Sequence, residues 1–351
     1  MATLAYYAHY YGSGHCRYAD FAASVVPNGI PVFSSRDFDF RYANPVIRIP
    51  DEEFDHALRE HHLITLPNYL HYSPVGVDKV RQRSLQILQT VEELDVELVI
   101  VDISVEVAAL LRASSVPYLY VRLFGDRRDV AHEEAFRGAM GLIAYFPEAL
   151  ESESTPDWVR KKTVYIGFKP SPTKPSQLAE EPNLPADAIL FVRGFGAAEE
   201  LEGALARVQR IFPERPLIGI GDFSPMATAL LDWSLGVVQD ITPYLRQASV
   251  VVAACGSNLT AEVLRAGKPF VPVPCQRPYR EQVEIAEALY RAGLCVSLED
   301  FLAGATPPVP YFARVAEERY AAYFGGLAAT DDWRTYLGVE LKYVPIPGHS
   351  L

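Results

Sequence analysis

Short apolar runs alternate with longer stretches of helical periodicity along most of the chain, the pattern of strand-helix-strand units in a parallel sheet. The strands read as nearly continuous apolar runs, as expected when helices cover both faces of a sheet. In the first half the runs predict strands at 3–8, 30–33, 98–101 and 117–121, with helices after Gly14, over 77–94 and over 105–113. Around 167–187 the pattern breaks: Pro170, Pro172, Pro175, Pro182 and Pro185 stand among Ser, Thr, Lys and Glu, a spacing that neither helix nor central strand tolerates. The alternation then restarts, with strands at 188–192, 217–220, 236–238, 250–253 and 270–273 and helices over 199–211, 258–266 and 280–292. The expected organisation is a doubly wound domain over 1–166, a linker over 167–187, a second α/β domain over 188–310 and a helical tail over 311–351. Ligands of open parallel sheets bind at the carboxyl ends of the strands, so the cleft between two such domains is the expected site.

Composition narrows the function classes. With 351 residues, 49% of them hydrophobic and 22% charged, the chain can bury two real cores. Its 32 basic and 44 acidic side chains give a net charge of −12, and no block of Lys or Arg occurs, which argues against nucleic acid or an anionic membrane surface as the main partner. No apolar run approaches the roughly 18 residues of a membrane span, and the start lacks a basic leader, so a soluble, cytoplasmic protein without stable membrane insertion is expected. Cys16, Cys255, Cys275 and Cys295 lie far apart with no Cys-x-x-Cys pair, and no metal set is read from them.

Two local constellations carry chemistry. Directly after the first strand comes Tyr11-Gly12-Ser13-Gly14-His15, followed by an amphipathic stretch. Its glycines permit a sharp turn and close approach to a ligand, and the amides of the following helix favour negative charge. His15 then stands at the mouth of the cleft, where a neutral imidazole can act as a general base; the other reading is a tight turn whose His bonds locally. Asp102 ends the run 98–101 on the same rim of the same sheet. A carboxylate there can hold the imidazole in one tautomer and stabilise the imidazolium, or it can cap the next helix.

In the second half, 250–254 runs into Cys255-Gly256-Ser257-Asn258-Leu259-Thr260 and then a helix carrying Glu262. Strand, small polar turn and helix form a phosphate cradle of free N–H groups and a helix dipole. Glu262, one turn further in, is at the reach of a ribose diol, or is an exposed helix residue.

These stretches, with Ala266-Gly267-Lys268-Pro269-Phe270-Val271-Pro272-Val273-Pro274 and Arg280-Glu281-Gln282, resemble the donor-binding signature of GT-B nucleotide-sugar glycosyltransferases. The chain is similar to the UDP-glycosyltransferases and, in size, to the N-acetylglucosaminyltransferase that makes lipid II. Gly-Ser-Gly-His resembles their Gly-rich loop with its catalytic His, and Asp102 falls where plant-type members keep the carboxylate paired with that His. The resemblance implies an α/β, GT-B fold of two facing Rossmann-like doubly wound domains with an interdomain cleft. It also implies inverting, metal-independent transfer, without a cofactor, from a nucleoside-diphosphate sugar (a UDP-sugar) to a hydroxyl of a small-molecule or glycan acceptor. Glu262 would bind the ribose, and Gly256, Ser257 and Asn258 the diphosphate. Glu281 and Gln282 would bind the donor sugar, and the backbone near Ile241 the base. Gly12, Ser13 and Gly14 would border the donor, and the loop Gly194-Phe195-Gly196 would face its phosphates. The tail helices would cross back onto the first domain.

Two positions depart from the family pattern. Ala254 stands where plant-type members have His and the lipid II enzyme has Arg, and Leu259 replaces a small hydroxyl residue. Arg193 or Arg280 is the expected replacement cation. The same residues leave three other readings open. A nucleotide-sugar hydrolase resembles the chain through Gly-x-Gly-His-x-x-Arg, with Arg17 here one residue early; an epimerase of the same architecture and a non-catalytic nucleotide-sugar-binding protein are the others. The acceptor would meet loops 33–72 and 123–147. The first carries Phe38, Phe40, Tyr42, His61, His62, Tyr69, His71 and Tyr72, which either stack on a ligand or, more commonly, pack. Without a basic apron the chain suits a soluble acceptor.

Overall fold

The structure, a computed structural model, describes residues 3–10, 14–51, 67–168, 182–194, 199–310, 315–330 and 332–340. The elements of the first half are β1 (Leu4–Ala8), α1 (Gly14–Ser24), β2 (Val32–Ser34), β3 (Val46–Arg48), α2 (Asp78–Glu93), β4 (Leu98–Asp102), α3 (Val105–Ala113), β5 (Tyr118–Arg122), α4 (Val130–Gly138), β6 (Gly141–Ala144), α5 (Asp157–Lys161) and β7 (Thr163–Tyr165). The seven strands are parallel in the order β3-β2-β1-β4-β5-β6-β7. β1, β4 and β5 are buried at every position, which is why their sequences run apolar without alternation. The period of two survives in which face each side chain serves. Leu4, Tyr6 and Ile100 pack toward α1, while Ala5, Tyr7 and Val99 pack toward α2, α3 and α4. Burying each such large side chain contributes about 1.5–3 kcal/mol.

The second half continues with β8 (Ile189–Val192), α6 (Glu199–Ile211), β9 (Leu217–Ile220), α7 (Pro225–Thr228), β10 (Trp233–Ser234), α8 (Thr242–Gln247), β11 (Val250–Ala253), α9 (Ser257–Arg265), β12 (Phe270–Pro272), α10 (Glu281–Arg291) and α11 (Leu298–Leu302). Its five parallel strands are ordered β10-β9-β8-β11-β12. Both sheets therefore reverse strand order once, between β1 and β4 in the first and between β8 and β11 in the second. A crevice opens outside the carboxyl ends of the strands at such a switch point.

The two halves are joined by an apolar seam, in which Phe124, Phe146 and Leu150 share a cluster with Leu190, Val251 and Ile285. The chain ends in α12 (Val315–Ala329) and α13 (Trp333–Glu340). Tyr323, Phe324, Leu327 and Trp333 pack with Tyr6 and Ala22, so the tail lies on the first sheet although it follows the second.

Some elements differ from the periodicity. The strand expected at 236–238 forms instead at Trp233–Ser234, because Asp232 and Leu235 donate their amides to Leu217 and Gly219 on β9. Gly236 (φ +63°) then turns the chain away and leaves Val237 exposed. β3, β6 and β7 are strands the periodicity does not predict; β3 is only half-buried and ends in Arg48, and β6 and β7 are runs of four and three residues. Of the Pro-rich stretch 167–187, residues 169–181 lie outside the described residues. Among the described residues no helix is long and apolar enough to cross a membrane.

Candidate functional site

The first switch point carries the imidazole and the carboxylate. Gly12 and Ser13 lie outside the described residues; Gly14 and His15 open α1 directly behind β1. Asp102 is the last residue of β4 and is fully buried. Nδ1 of His15 lies 2.9 Å from Oδ2 of Asp102. The same oxygen accepts from the Tyr6 hydroxyl at 3.1 Å, and Tyr6 is in turn 2.9 Å from the Tyr145 hydroxyl. Tyr145 stacks on Tyr18 of α1 with ring centroids 4.3 Å apart, so the group is clamped from both elements. Among the described residues Oδ1 of Asp102 is buried without a hydrogen-bond partner, which concentrates the carboxylate's interactions on the oxygen facing His15.

Asp102 does not cap the following helix. Ser104 does, its Oγ accepting from the Val107 amide at 3.3 Å. Between them Ile103 adopts φ +61°, a left-handed conformation unusual for a β-branched residue, with its carbonyl taking the Tyr120 hydroxyl at 2.6 Å. This turn separates the capping residue from the carboxylate. A carboxylate so close to Nδ1 favours the tautomer with its proton there and leaves the lone pair on Nε2, the arrangement of a general base with an orienting acid. His9 packs edge-on at 5.5 Å from His15, and burial pushes its pKa well below the ordinary histidine value, so it is neutral beside the base.

The second switch point carries the cradle. Gly256 is the N-cap of α9 and offers no side chain to the first-turn amides, which stay open to an acceptor. Asn258 is exposed at this end, and a Cβ built on Gly14 would come within 2.8 Å of its Nδ2. The N-termini of α1 and α9 therefore meet, with the Asn258 side chain against Gly14. Glu281 opens α10, its Oε1 3.4 Å from the Ser257 hydroxyl. Gln282 is buried with Oε1 held by the Cys275 amide at 2.9 Å, which turns its amide nitrogen toward Gly256.

The remaining expected donor residues lie on α9, at the start of α8 and after β8. Glu262 is half-buried one turn into α9, Ile241 is the N-cap of α8, and Gly194 is exposed after β8. Phe195 and Gly196 lie outside the described residues. Ala254 is buried, and Leu259 packs on the apolar core under α9. Neither expected replacement cation is turned to the cradle. Arg193 pairs with Glu202 at 3.5 Å, while Arg280 is exposed and pairs with Glu284 and Glu287.

A third group bridges the halves. Asp129, the N-cap of α4, takes His132 Nδ1 at 2.6 Å and His71 Nε2 at 2.9 Å. Tyr279, from the second half, sits against both rings, its hydroxyl 3.4 Å from His71 Nε2. Its carbonyl accepts the Asp126 amide at 2.6 Å. Arg127 Nη1 lies 3.1 Å from His132 Nε2. Arginine can only donate, so Nε2 is the accepting nitrogen and Nδ1 carries the proton given to Asp129. Burial and the Arg127 charge push the His132 pKa down to about 4, in keeping with a neutral ring. His71, Asp129 and His132 hold three ligand atoms within 4.8 Å of one another. A metal-ligating histidine donates its other N–H to an acceptor, whereas the other nitrogen of His132 faces a donor, so the group is built as a hydrogen-bond chain. The sequence pattern names His71 only among the aromatic-loop residues and does not single out Asp129 or His132; His71 arrives from 58 residues away.

No protein-family model matches the chain, and no curated protein matches its sequence. Solved structures are similar in fold. The chain resembles MurG of Acinetobacter baumannii over 97% of its own length and 100% of that chain, with TM-score 0.58 and 14% identity. It resembles Phytolacca americana UGT2, solved with UDP-2-fluoro-glucose and pterostilbene, over 97% and 93%, with TM-score 0.56 and 12% identity. The spinosyn rhamnosyltransferase SpnG, solved with thymidine diphosphate, matches over 97% and 96%, with TM-score 0.56 and 15% identity. Two facing parallel sheets, each with one switch point, give this chain the GT-B glycosyltransferase fold.

Proposed function

We propose that this protein is an inverting glycosyltransferase that moves a sugar from a nucleoside-diphosphate sugar, a UDP-sugar, to a hydroxyl of a soluble acceptor. The carrying observation is the meeting of the α1 and α9 N-termini at Gly14 and Asn258, with the His15–Asp102 pair directly behind it. The N-termini of these two helices supply positive potential for a diphosphate, which is the stabilisation an ion would otherwise provide. In this reading residues 1–166 hold the acceptor and 188–310 the donor.

His15 Nε2 takes the proton of the acceptor hydroxyl as its oxygen attacks the anomeric carbon. The new C–O bond forms on one face while the bond to the β-phosphate oxygen breaks on the other, so configuration inverts and the electron pair leaves with the diphosphate. Asp102 stabilises the imidazolium until the proton passes to solvent. Gly256, Ser257 and Asn258 hold the diphosphate, Glu262 the ribose and the backbone at Ile241 the base. Glu281 accepts from sugar hydroxyls and Gln282 donates to them.

The position three residues after His15, where the hydrolase pattern has Arg, is Tyr18, buried and stacked on Tyr145, which favours transfer over hydrolysis. His15→Ala should lower transfer by about 10²–10⁴-fold and leave UDP affinity within about twofold. Joint loss of transfer and binding would make His15 a structural residue. Rapid release of free sugar from a UDP-sugar without acceptor would turn the reading to hydrolysis.

A further inference from the structure

At the cradle Ala254 is apolar, and Arg193 and Arg280 are paired with acids beside them. A cation reaches it from the other half. Arg127 lies in the loop between β5 and α4, and its side chain is 9% exposed. Its Nη2 lies 3.7 Å from Oε2 of Glu281, whose Oε1 faces the Ser257 hydroxyl at 3.4 Å. One carboxylate therefore separates this guanidinium from the first residue of α9.

The rest of the guanidinium is fixed. Nε donates to the Phe124 carbonyl at 3.2 Å, Nη1 donates to His132 Nε2 at 3.1 Å, and the Tyr279 ring lies 4.7 Å beneath it. Its contact with Glu281 is the longest of its three polar contacts. His132 is a neutral acceptor held by Asp129, so it anchors Arg127 without a charge of its own.

We propose that Arg127 is the cation of the donor site and binds the β-phosphate of the nucleotide from the opposite half of the molecule. This rests on the nucleotide-sugar reading above. It adds that the diphosphate is held from both sheets at once: Nη2 leaves Glu281 for a phosphate oxygen, and Glu281 becomes available to sugar hydroxyls. Nη2 carries N–H donors of a permanently charged group and gives a charge-assisted bond to a phosphate oxygen, so it replaces what is missing at Ala254.

The test is calorimetric titration of wild type and variants with UDP, UDP-glucose, thymidine diphosphate and UMP. Arg127→Met should weaken UDP binding at least about tenfold and UMP binding less than about twofold, since UMP has no β-phosphate. Arg193→Met and Arg280→Met should each stay within about twofold for both ligands. Should Arg127→Met fail to fold, Glu281→Gln carries the test: releasing Arg127 should leave UDP affinity equal or higher while weakening UDP-glucose. Equal UDP affinity in wild type and folded Arg127→Met, or a tenfold loss of UDP affinity in Glu281→Gln, overturns the inference alone. A wild-type protein that binds neither diphosphate overturns the nucleotide-sugar reading and this inference with it.

Discussion

Oδ2 of Asp102 faces two groups from two different elements, Nδ1 of His15 in an ion-pair contact at 2.9 Å and the Tyr6 hydroxyl, which donates to it at 3.1 Å. Asp102 has no solvent contact, so its charge is balanced by these neighbours rather than by water. Asp102→Asn preserves the shape and removes the charge that favours the imidazolium. Transfer is expected to fall by about 10²-fold or more with UDP affinity unchanged. Tyr6→Phe removes one donor and leaves the pair, so a loss of less than about tenfold is expected. Steady-state kinetics on both variants checks this, and equal effects would mean that Tyr6 and Asp102 act only through packing.

The contact between Gly125 and Tyr279 sets how the halves meet. Gly125 has φ +112°, and a Cβ there would lie 2.6 Å from the Tyr279 carbonyl oxygen, the atom that accepts the Asp126 amide. Tyr279 and Arg280 are themselves left-handed, with φ 59° and 56°. Gly125→Ala must strain the loop or separate the halves, and a loss of about 1–3 kcal/mol in urea unfolding is expected. A melting temperature within about 1 °C of wild type would show that the contact is dispensable.

His132 makes stability depend on pH. Its folded pKa is about 4 against an ordinary value of 6.5, so between these values the unfolded chain binds a proton that the folded protein does not. Stability should therefore rise with pH across that window and be lost as pH falls through it. Burial works to raise the Asp129 carboxyl, but hydrogen bonds from His132 and His71 hold it well below the usual range, so it adds no loss until more acidic pH. His9 shifts in the same direction as His132. His132→Gln should flatten part of the slope measured by urea unfolding at about pH 5 and about pH 7; an unchanged slope would assign it to His9 and other groups.

By itself the sequence determined what is local: which runs are buried strands, which glycines interrupt them, and that His15, Asp102 and the turn 256–258 stand at strand ends. Apolar content and the period along one element are enough for that. It did not determine the three short strands, the place of the tail, or which cation serves the cradle. Those depend on strand order and on side chains from distant segments meeting in space. Arg127 and Glu281 belong to different halves of the chain, and His71 reaches Asp129 from an irregular segment with no period to announce it. Only the tertiary structure decided these contacts, because a buried hydrogen-bond chain is selected by mutual geometry, and spacing along the chain carries no record of it.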